Sequence, residues 1–167
     1  CVLLSLEQYW APVVTVQTRA DHPYEDFFTT VDYDGDWDAT NNGDNVALAH
    51  QPAQIYSALT GTQTHWFITY YLYFPSRYAA SLPHNYENAF RGVLLVIRKD
   101  GGYGTLELMQ TASEHYFRWY LPADSPLESA SGGTSGIIQW SVNETHKRPR
   151  IYIGAGNHQI VGHGTGG

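Results

Sequence analysis

Five consecutive apolar residues, Val93-Leu94-Leu95-Val96-Ile97, run directly into Arg98-Lys99-Asp100-Gly101-Gly102-Tyr103-Gly104 and then into Leu106-Glu107-Leu108. This segment constrains the fold more than any other. The run is short, three of its residues are β-branched, and Asp-Gly with further glycines supplies the positive φ that a hairpin needs. Because it is apolar on both sides, it predicts a central strand, with Val93, Leu95 and Ile97 on one face and Leu94, Val96 and Arg98 on the other. Trp66, Ile68, Tyr70 and Leu72 show the matching alternation, which places them in the same sheet or directly across the core.

Other short apolar or alternating runs recur between turn signals, and they predict strands at 12–19, 29–33, 54–59, 64–74, 92–98, 105–111, 114–121, 136–142 and 150–153. Helix is expected only at 45–53 and 76–82, both short and bounded by proline, and 125–136 reads as a Gly/Ser surface loop. Nine short strands without a βαβ rhythm predict a mostly-β fold, an antiparallel, jelly-roll-like sandwich with one or two short helices. At 167 residues the chain fits a single domain, with 1–10 as an N-terminal arm and 159–167 as a glycine-rich tail. Five Trp, 13 Tyr and 6 Phe are then available to fill the space between the sheets.

Charge is uneven. The first 45 residues hold Arg19 as their only base against nine acids, while the whole chain carries −7. Such a segment repels a phosphate backbone, and no Lys/Arg stripe occurs elsewhere, so nucleic acid and anionic lipid are poor partners and a cation is a better one. No window reaches the length of apolar sequence needed for a membrane span. The low charge and the abundance of Tyr, Trp, Thr, Asn and Gly match secreted or cell-surface β-proteins. Cys1, the single cysteine, closes no intramolecular disulfide; it reads either as a lipid-modified first residue or, given the apolar Val-Leu-Leu that follows, as a chain boundary.

Asp32, Asp34, Asp36 and Asp38 alternate, and Asn42 and Asp44 follow closely. This density of hard oxygen donors suits Ca²⁺, although Gly35 comes too early for a helix-loop-helix calcium site. The competing reading is a solvated turn whose Asp and Asn side chains cap backbone amides. His65, His158 and His163 fall in or beside expected strands, and no histidine pair has the helical spacing of a zinc enzyme.

Four blocks carry a resemblance: Gln8-Tyr9-Trp10-Ala11-Pro12-Val13-Val14; Asp32 to Trp37 with Asn41-Asn42; Thr64-His65-Trp66-Phe67-Ile68-Thr69-Tyr70-Tyr71; and Gly92 to Gly101. In this order they resemble a poorly characterised group of secreted proteins that carries His-Glu-Asn-Asp-x-Glu-Gly before a Val-Leu-Leu-Val strand and a later His-Gly. That group is distantly similar to vacuolar-sorting-associated and necrosis-inducing-like β-sandwiches, whose His/Asp/Glu heptad binds a divalent ion. Aligned on Gly92, this chain keeps Glu87 and Asn88 but has Tyr86, Ala89 and Arg91 in place of the His, Asp and second Glu. The late strand keeps His158. Two carboxylates and an imidazole lost, with a guanidinium gained, imply that the ancestral chemistry is gone.

The resulting expectation is a secreted or cell-surface binding or structural β-domain with a Ca²⁺ site in the acidic loop. A second reading is a metal-dependent hydrolase or toxin-like domain, with Glu87 as general base and His84, His65 and His158 around the ion. A third is a carbohydrate-binding module in which Trp37, Tyr70, Tyr78 or Trp119 stacks on sugar rings, or a subunit that self-associates through strand edges.

Overall fold

A computed structural model of the protein describes residues 4–48, 52–78, 86–114, 116–127, 135–142 and 145–162. The chain order is α1 (Leu6–Trp10), β1 (Val13–Val16), a single 3-10 turn (Val46–Leu48), β2 (Ile55–Gly61), β3 (His65–Arg77), β4 (Tyr86–Arg98), β5 (Thr105–Ser113), β6 (Tyr116–Leu121), β7 (Gly136–Ile137), β8 (Arg150–Ile153) and β9 (Ile160–Gly162). One sheet has the order β2-β3-β4-β5-β6-β7 and the other β1-β8-β9. The fold is the expected β-sandwich. Its large sheet is an antiparallel meander apart from the parallel β6–β7 pair, and β1 runs parallel to β8. Among the described residues no helix is long and apolar enough to cross a membrane.

The alternation seen in the sequence becomes the register of the sheet. Trp66 pairs with Ile97, Ile68 with Leu95 and Tyr70 with Val93. Ile68, Val93, Leu95, Ile97 and Met109 have no exposed surface, and they meet Ile151, Ile153 and Ile160 of the small sheet. Leu94 and Val96, on the opposite face, are only half-buried. β4 is therefore central, but one of its faces is covered much less than the other.

A bulge at Val96/Ile97 leaves Glu107 without a partner in the ladder. The extra residue turns its carboxylate to His65 Nε2 at 2.9 Å and Arg98 Nη1 at 3.3 Å, which closes one end of the sheet with charge. At the same end the expected N-terminal arm is instead a helix. Ser5 and Gln8 form a reciprocal capping box, and Trp10 is buried with its indole N–H donating to the Tyr103 carbonyl of the β4–β5 hairpin at 2.8 Å.

Several expectations change. The 76–82 helix does not start, because Ser76 and Arg77 prolong β3 by pairing with Glu87 and Tyr86; 79–82 lie outside the described residues. The 29–33 strand reduces to one bridge, Thr29 to Tyr73, since the chain there turns across the sheet and packs Tyr33 and Val31 on Tyr73. Of 136–142 only Gly136–Ile137 is strand, and of 45–53 the described part holds only the 3-10 turn. Inside the supposed tail, Ile160 is 1% exposed on β9, and a Cβ at Gly162 would lie 2.7 Å from the Tyr120 ring. Three residues are too few to show a period, so this core strand is silent in the sequence pattern.

Leu95, wholly buried between the sheets, sets the first test. Leu95→Ala leaves a cavity and is expected to cost about 2–5 kcal/mol in urea unfolding, a large part of the stability of such a domain. A loss near zero contradicts the packing described.

Candidate functional site

The first half of β4 carries the motif positions into the end of the sandwich opposite the Glu107 bulge. Pro75 on β3 lies between the Phe74–Ala89 and Ser76–Glu87 pairs and cannot donate to the ladder, and Asn88 beside it takes φ +60°. Asparagine tolerates that left-handed backbone better than most residues. The break separates Glu87, which stays exposed, from Ala89 and Arg91, which are buried.

Arg91 is 3% exposed, and every polar atom of its guanidinium is used. Nε donates to the His158 carbonyl at 3.2 Å, Nη1 to the Phe90 carbonyl at 2.8 Å, and Nη2 to the Asn157 carbonyl at 3.0 Å and the Tyr86 hydroxyl at 3.1 Å. The Tyr86 hydroxyl in turn donates to Glu114 Oε1. The same Glu114 oxygen lies 3.6 Å from Arg91 Nη2 and 3.1 Å from Arg77 Nε, with the Arg77 guanidinium over the Tyr86 ring. Burial and the neighbouring carboxylate push the Tyr86 phenol up. Two guanidinium groups share one carboxylate in this cluster, and Ala89 and Arg91 stand where the resemblance would place acidic ligands, so the Glu114 cluster does not itself offer a divalent cation a donor set.

Asp26 forms a second hub behind it. Its carboxylate has no exposed surface and accepts from Arg19 N, Nε and Nη2 at 2.8, 2.8 and 2.9 Å and from Gly156 N at 2.6 Å. His158, also fully buried and at φ +52°, stacks on Phe74 at 4.0 Å and brings Nε2 within 3.3 Å of Asp26 Oδ1. Burial, together with the charges of Arg91 and Arg19, lowers the His158 pKa against the pull of Asp26, so the ring is neutral at neutral pH. The Asp26 carboxyl is held far below the ordinary range: desolvation opposes this, and the close approach of His158 Nε2 with the hydrogen bonds from Arg19 and Gly156 outweighs it.

On the open side, Ala39, Thr40, Gly43, Asp44, Ser76, Arg77, Tyr78, Tyr86, Glu87 and Asn88 line a cleft of about 600 Å³. Its wall is fixed by amide and phenol groups. Asn42 Nδ2 donates to the Tyr73 hydroxyl at 2.7 Å, that hydroxyl donates to Asn88 Oδ1 at 2.7 Å, and Asn88 Nδ2 donates to the Ala39 carbonyl at 2.8 Å. The Tyr33 hydroxyl donates to the Asn42 carbonyl, and burial with nearby carboxylates pushes the Tyr33 phenol up to about 12.

The structure scatters much of what the sequence suggested would converge. Gly35 at φ +85° and Trp37 at φ +56° turn the acidic segment into a series of bends, so the alternating aspartates do not share one side. Asp32 accepts from Trp37 N, Asp34 from Asn45 Nδ2, Asp36 from Asp38 N and Asn41 Nδ2, and Asp38 from Thr40 N and Oγ1. Asn42 is buried in the cleft wall, and only Asp44 faces the cleft. Among the described residues no three His, Cys, Asp or Glu side chains group to hold a metal ion.

His65 sits at the far end of β3 from Ser76, the partner of Glu87, roughly 35 Å away at about 3.3 Å per residue, so the two cannot share an ion. His158 is interior, and His84 and His163 lie outside the described residues. Tyr70 is 2% exposed and donates its hydroxyl to the Glu7 carbonyl, so its ring belongs to the core and not to a ligand. Tyr78 reaches the cleft with His22 stacked on it at 4.0 Å, Trp37 stands 80% exposed on the acidic loop, and Trp119 lies on the outer face of β6. Arg19, Asp26, Arg77 and Glu114 were missed, since a charged residue has no periodicity that announces its partner.

Fold and site together define a two-sheet β-domain whose cleft is braced by arginine. Comparison with protein-family models finds no match, and neither does comparison with curated proteins. Among solved structures, the non-toxic HaNLP3 protein is 22% identical over 57% of this chain and 43% of its own, with a TM-score of 0.38. A structure described as a toxin fold for microbial attack and plant defense is 16% identical over 70% of this chain and 48% of its own, at 0.41. NLPPya in complex with mannosamine is 16% identical over 70% and 48%, at 0.39. The chain spans about half the length of these toxin-fold proteins of the necrosis and ethylene-inducing-like type.

The Asp26–His158 pair makes stability depend on pH. With the folded His158 pKa below the unfolded value of about 6.5, the unfolded chain takes the proton first as pH falls, so stability drops from that pH downward. Asp26, depressed in the fold, adds stability above its unfolded value of about 3.9 that is lost as pH falls further. The melting temperature is therefore expected to fall between pH 7 and 5. His158→Asn, which accepts positive φ and does not titrate, should flatten that slope; an unchanged slope places the titration elsewhere.

Proposed function

We propose that this protein is a non-catalytic binding domain that works outside the cell or at its surface and takes a carbohydrate in the Tyr78–Glu87 cleft. The observation that carries the reading is the Arg77–Glu114–Arg91 cluster. It sets two guanidinium groups on one carboxylate, a charge balance that disfavours a cation beside it, which supports recognition rather than metal-assisted hydrolysis as the use of the cleft. Glu87 and Asp44 accept hydroxyl hydrogen bonds, Arg77, Asn88 and Thr40 add further polar groups, and Tyr78 and Tyr86 offer ring faces and edges. Carboxylates, amides and aromatic rings in one wall suit a polyhydroxylated ring. The extracellular setting rests on composition: few charged residues, two lysines and many aromatics.

Titration with a panel of neutral and amino hexoses and their oligomers, followed by calorimetry or NMR, tests the reading. At least one member should bind, and Glu87→Gln should weaken it by about tenfold, the worth of a hydrogen bond to a charged group. If no sugar perturbs the cleft, or if purified protein holds a stoichiometric divalent metal and hydrolyses a substrate in a Glu87-dependent way, the reading fails.

Calcium supplies a separate check. Because the loop aspartates are already engaged by amides, hydroxyls and asparagine side chains, the melting temperature should stay the same in excess Ca²⁺ and in chelator. A rise with Ca²⁺ that chelator reverses overturns this part.

A further inference from the structure

The outer face of β3–β6, turned away from the small sheet, carries no charge over its middle. Register places Tyr71 beside Gly92, Gly92 beside Ala112, and Ala112 beside Phe117, so one row crosses four strands as aromatic, glycine, alanine, aromatic. The two small residues make a shallow trough between the two rings. Phe90, 50% exposed, and Trp119, 42% exposed, stand on either side of that row, while Tyr71 is 43% and Phe117 65% exposed. The remaining outward positions nearby, Thr69, Leu94 and Gln110, are uncharged as well. Charge lies at the margins of this apolar stretch: the His65–Glu107–Arg98 cluster at one end, and the acidic loop over Tyr73 with Glu114 after β5 at the other.

We infer that this face docks a flat, uncharged polysaccharide surface through Tyr71, Phe90, Phe117 and Trp119, as a second binding surface independent of the cleft. Charge selects the partner's class. A face with no ionic group gains nothing from a nucleic acid, an anionic lipid or an acidic glycan, and apolar ring faces with scattered amide and hydroxyl groups complement the C–H faces and hydroxyls of neutral pyranose chains. Size separates this occupant from a second copy of the chain. With β2, whose Tyr56 and Ala58 lie beside Tyr71 and Thr69, five strands spaced about 4.8 Å apart and some six residues of length give a patch of roughly 400 Å². A standard protein–protein interface needs about 800 Å² on each side. The patch is too small for a stable dimer and large enough for a few sugar rings lying flat.

The test is depletion of the intact protein from solution by microcrystalline cellulose and by chitin, with pellet and supernatant measured at low and high salt. The wild type is expected to partition onto at least one solid equally at both salt levels, since the contact is not ionic. The exposed pair Phe117→Ala and Trp119→Ala should weaken partition by about tenfold or more while the melting temperature holds. Gly92→Ala raises the trough floor from within: a Cβ there meets Ala112 Cβ at 3.7 Å, an ordinary contact, so the fold accommodates it and the variant should bind less. The Phe117→Ala and Trp119→Ala pair, which lies outside the cleft lining, should leave soluble-sugar binding in the cleft unchanged when read by NMR, which separates failure of this surface from failure of the cleft. Full binding by either face variant, a wild type that stays in solution, salt-sensitive binding, or a dimer by sedimentation that Phe117→Ala dissolves would each overturn the assignment.

Discussion

A guanidinium inside the sandwich fixes how the two sheets meet. Arg91 belongs to β4 of the large sheet, and two of its donors end on the carbonyls of Asn157 and His158, in the turn that joins β8 to β9 of the small one. A buried cation is tolerated only when its donors are used and a carboxylate lies near, and here the peptide carbonyls, the Tyr86 phenol and Glu114 meet both conditions. Asp26 does the same from the other side of that turn, binding Gly156 N and the Arg19 side chain. The β8–β9 turn is therefore held between a cation and an anion, each with its hydrogen bonds made. Such pairs add little net stability over hydrocarbon of the same volume, but losing one partner costs about 3–5 kcal/mol, so they specify one arrangement strongly.

That arrangement also explains the cleft's chemistry. A site that binds a divalent ion keeps carboxylates in excess and leaves a coordination position open. The Glu114 cluster has the opposite balance, with Arg77 and Arg91 on one carboxylate and a phenol relaying between them. The polar groups left facing outward are those of the β3–β4 break, Glu87 and Asn88, where Pro75 interrupts the ladder and the left-handed Asn88 turns its amide into the Asn42–Tyr73 network. The braced interior and the open wall thus arise from adjacent residues of one strand.

The large-sheet strands were legible because their signal is local. Val93 to Ile97, the Asp-Gly hairpin and the Trp66 to Leu72 alternation each contain their own period, and the register pairs them as the pattern implies. The site was legible only in part. Losing acids at Ala89 and Arg91 pointed away from a metal, but the partners of Arg91 lie up to 67 residues away and leave no trace in spacing. The aspartate alternation misled for a different reason. It implies convergence only if the chain stays extended, and a tryptophan at φ +56° is a turn that residue type does not announce. The same limit hid β9, whose place in the core depends on Tyr120 lying over Gly162.

The mismatch between the sheets accounts for where binding surfaces can arise. Six strands span about 24 Å and three about 10 Å at the usual spacing, so the small sheet covers less than half of the inner face. The rest is closed by Trp10 from the helix, Phe28 from the loop after β1 and Ile138 beyond β7. Among the described residues, the acidic loop is the segment that reaches the outer face, where it covers Tyr73 and its surroundings. Inner positions such as Leu95 and Tyr120 have no solvent contact, whereas outer positions such as Phe117 and Trp119 are exposed among the described residues. Large aromatic side chains left on an open sheet need a reason of their own, since the core on the other face is complete without them.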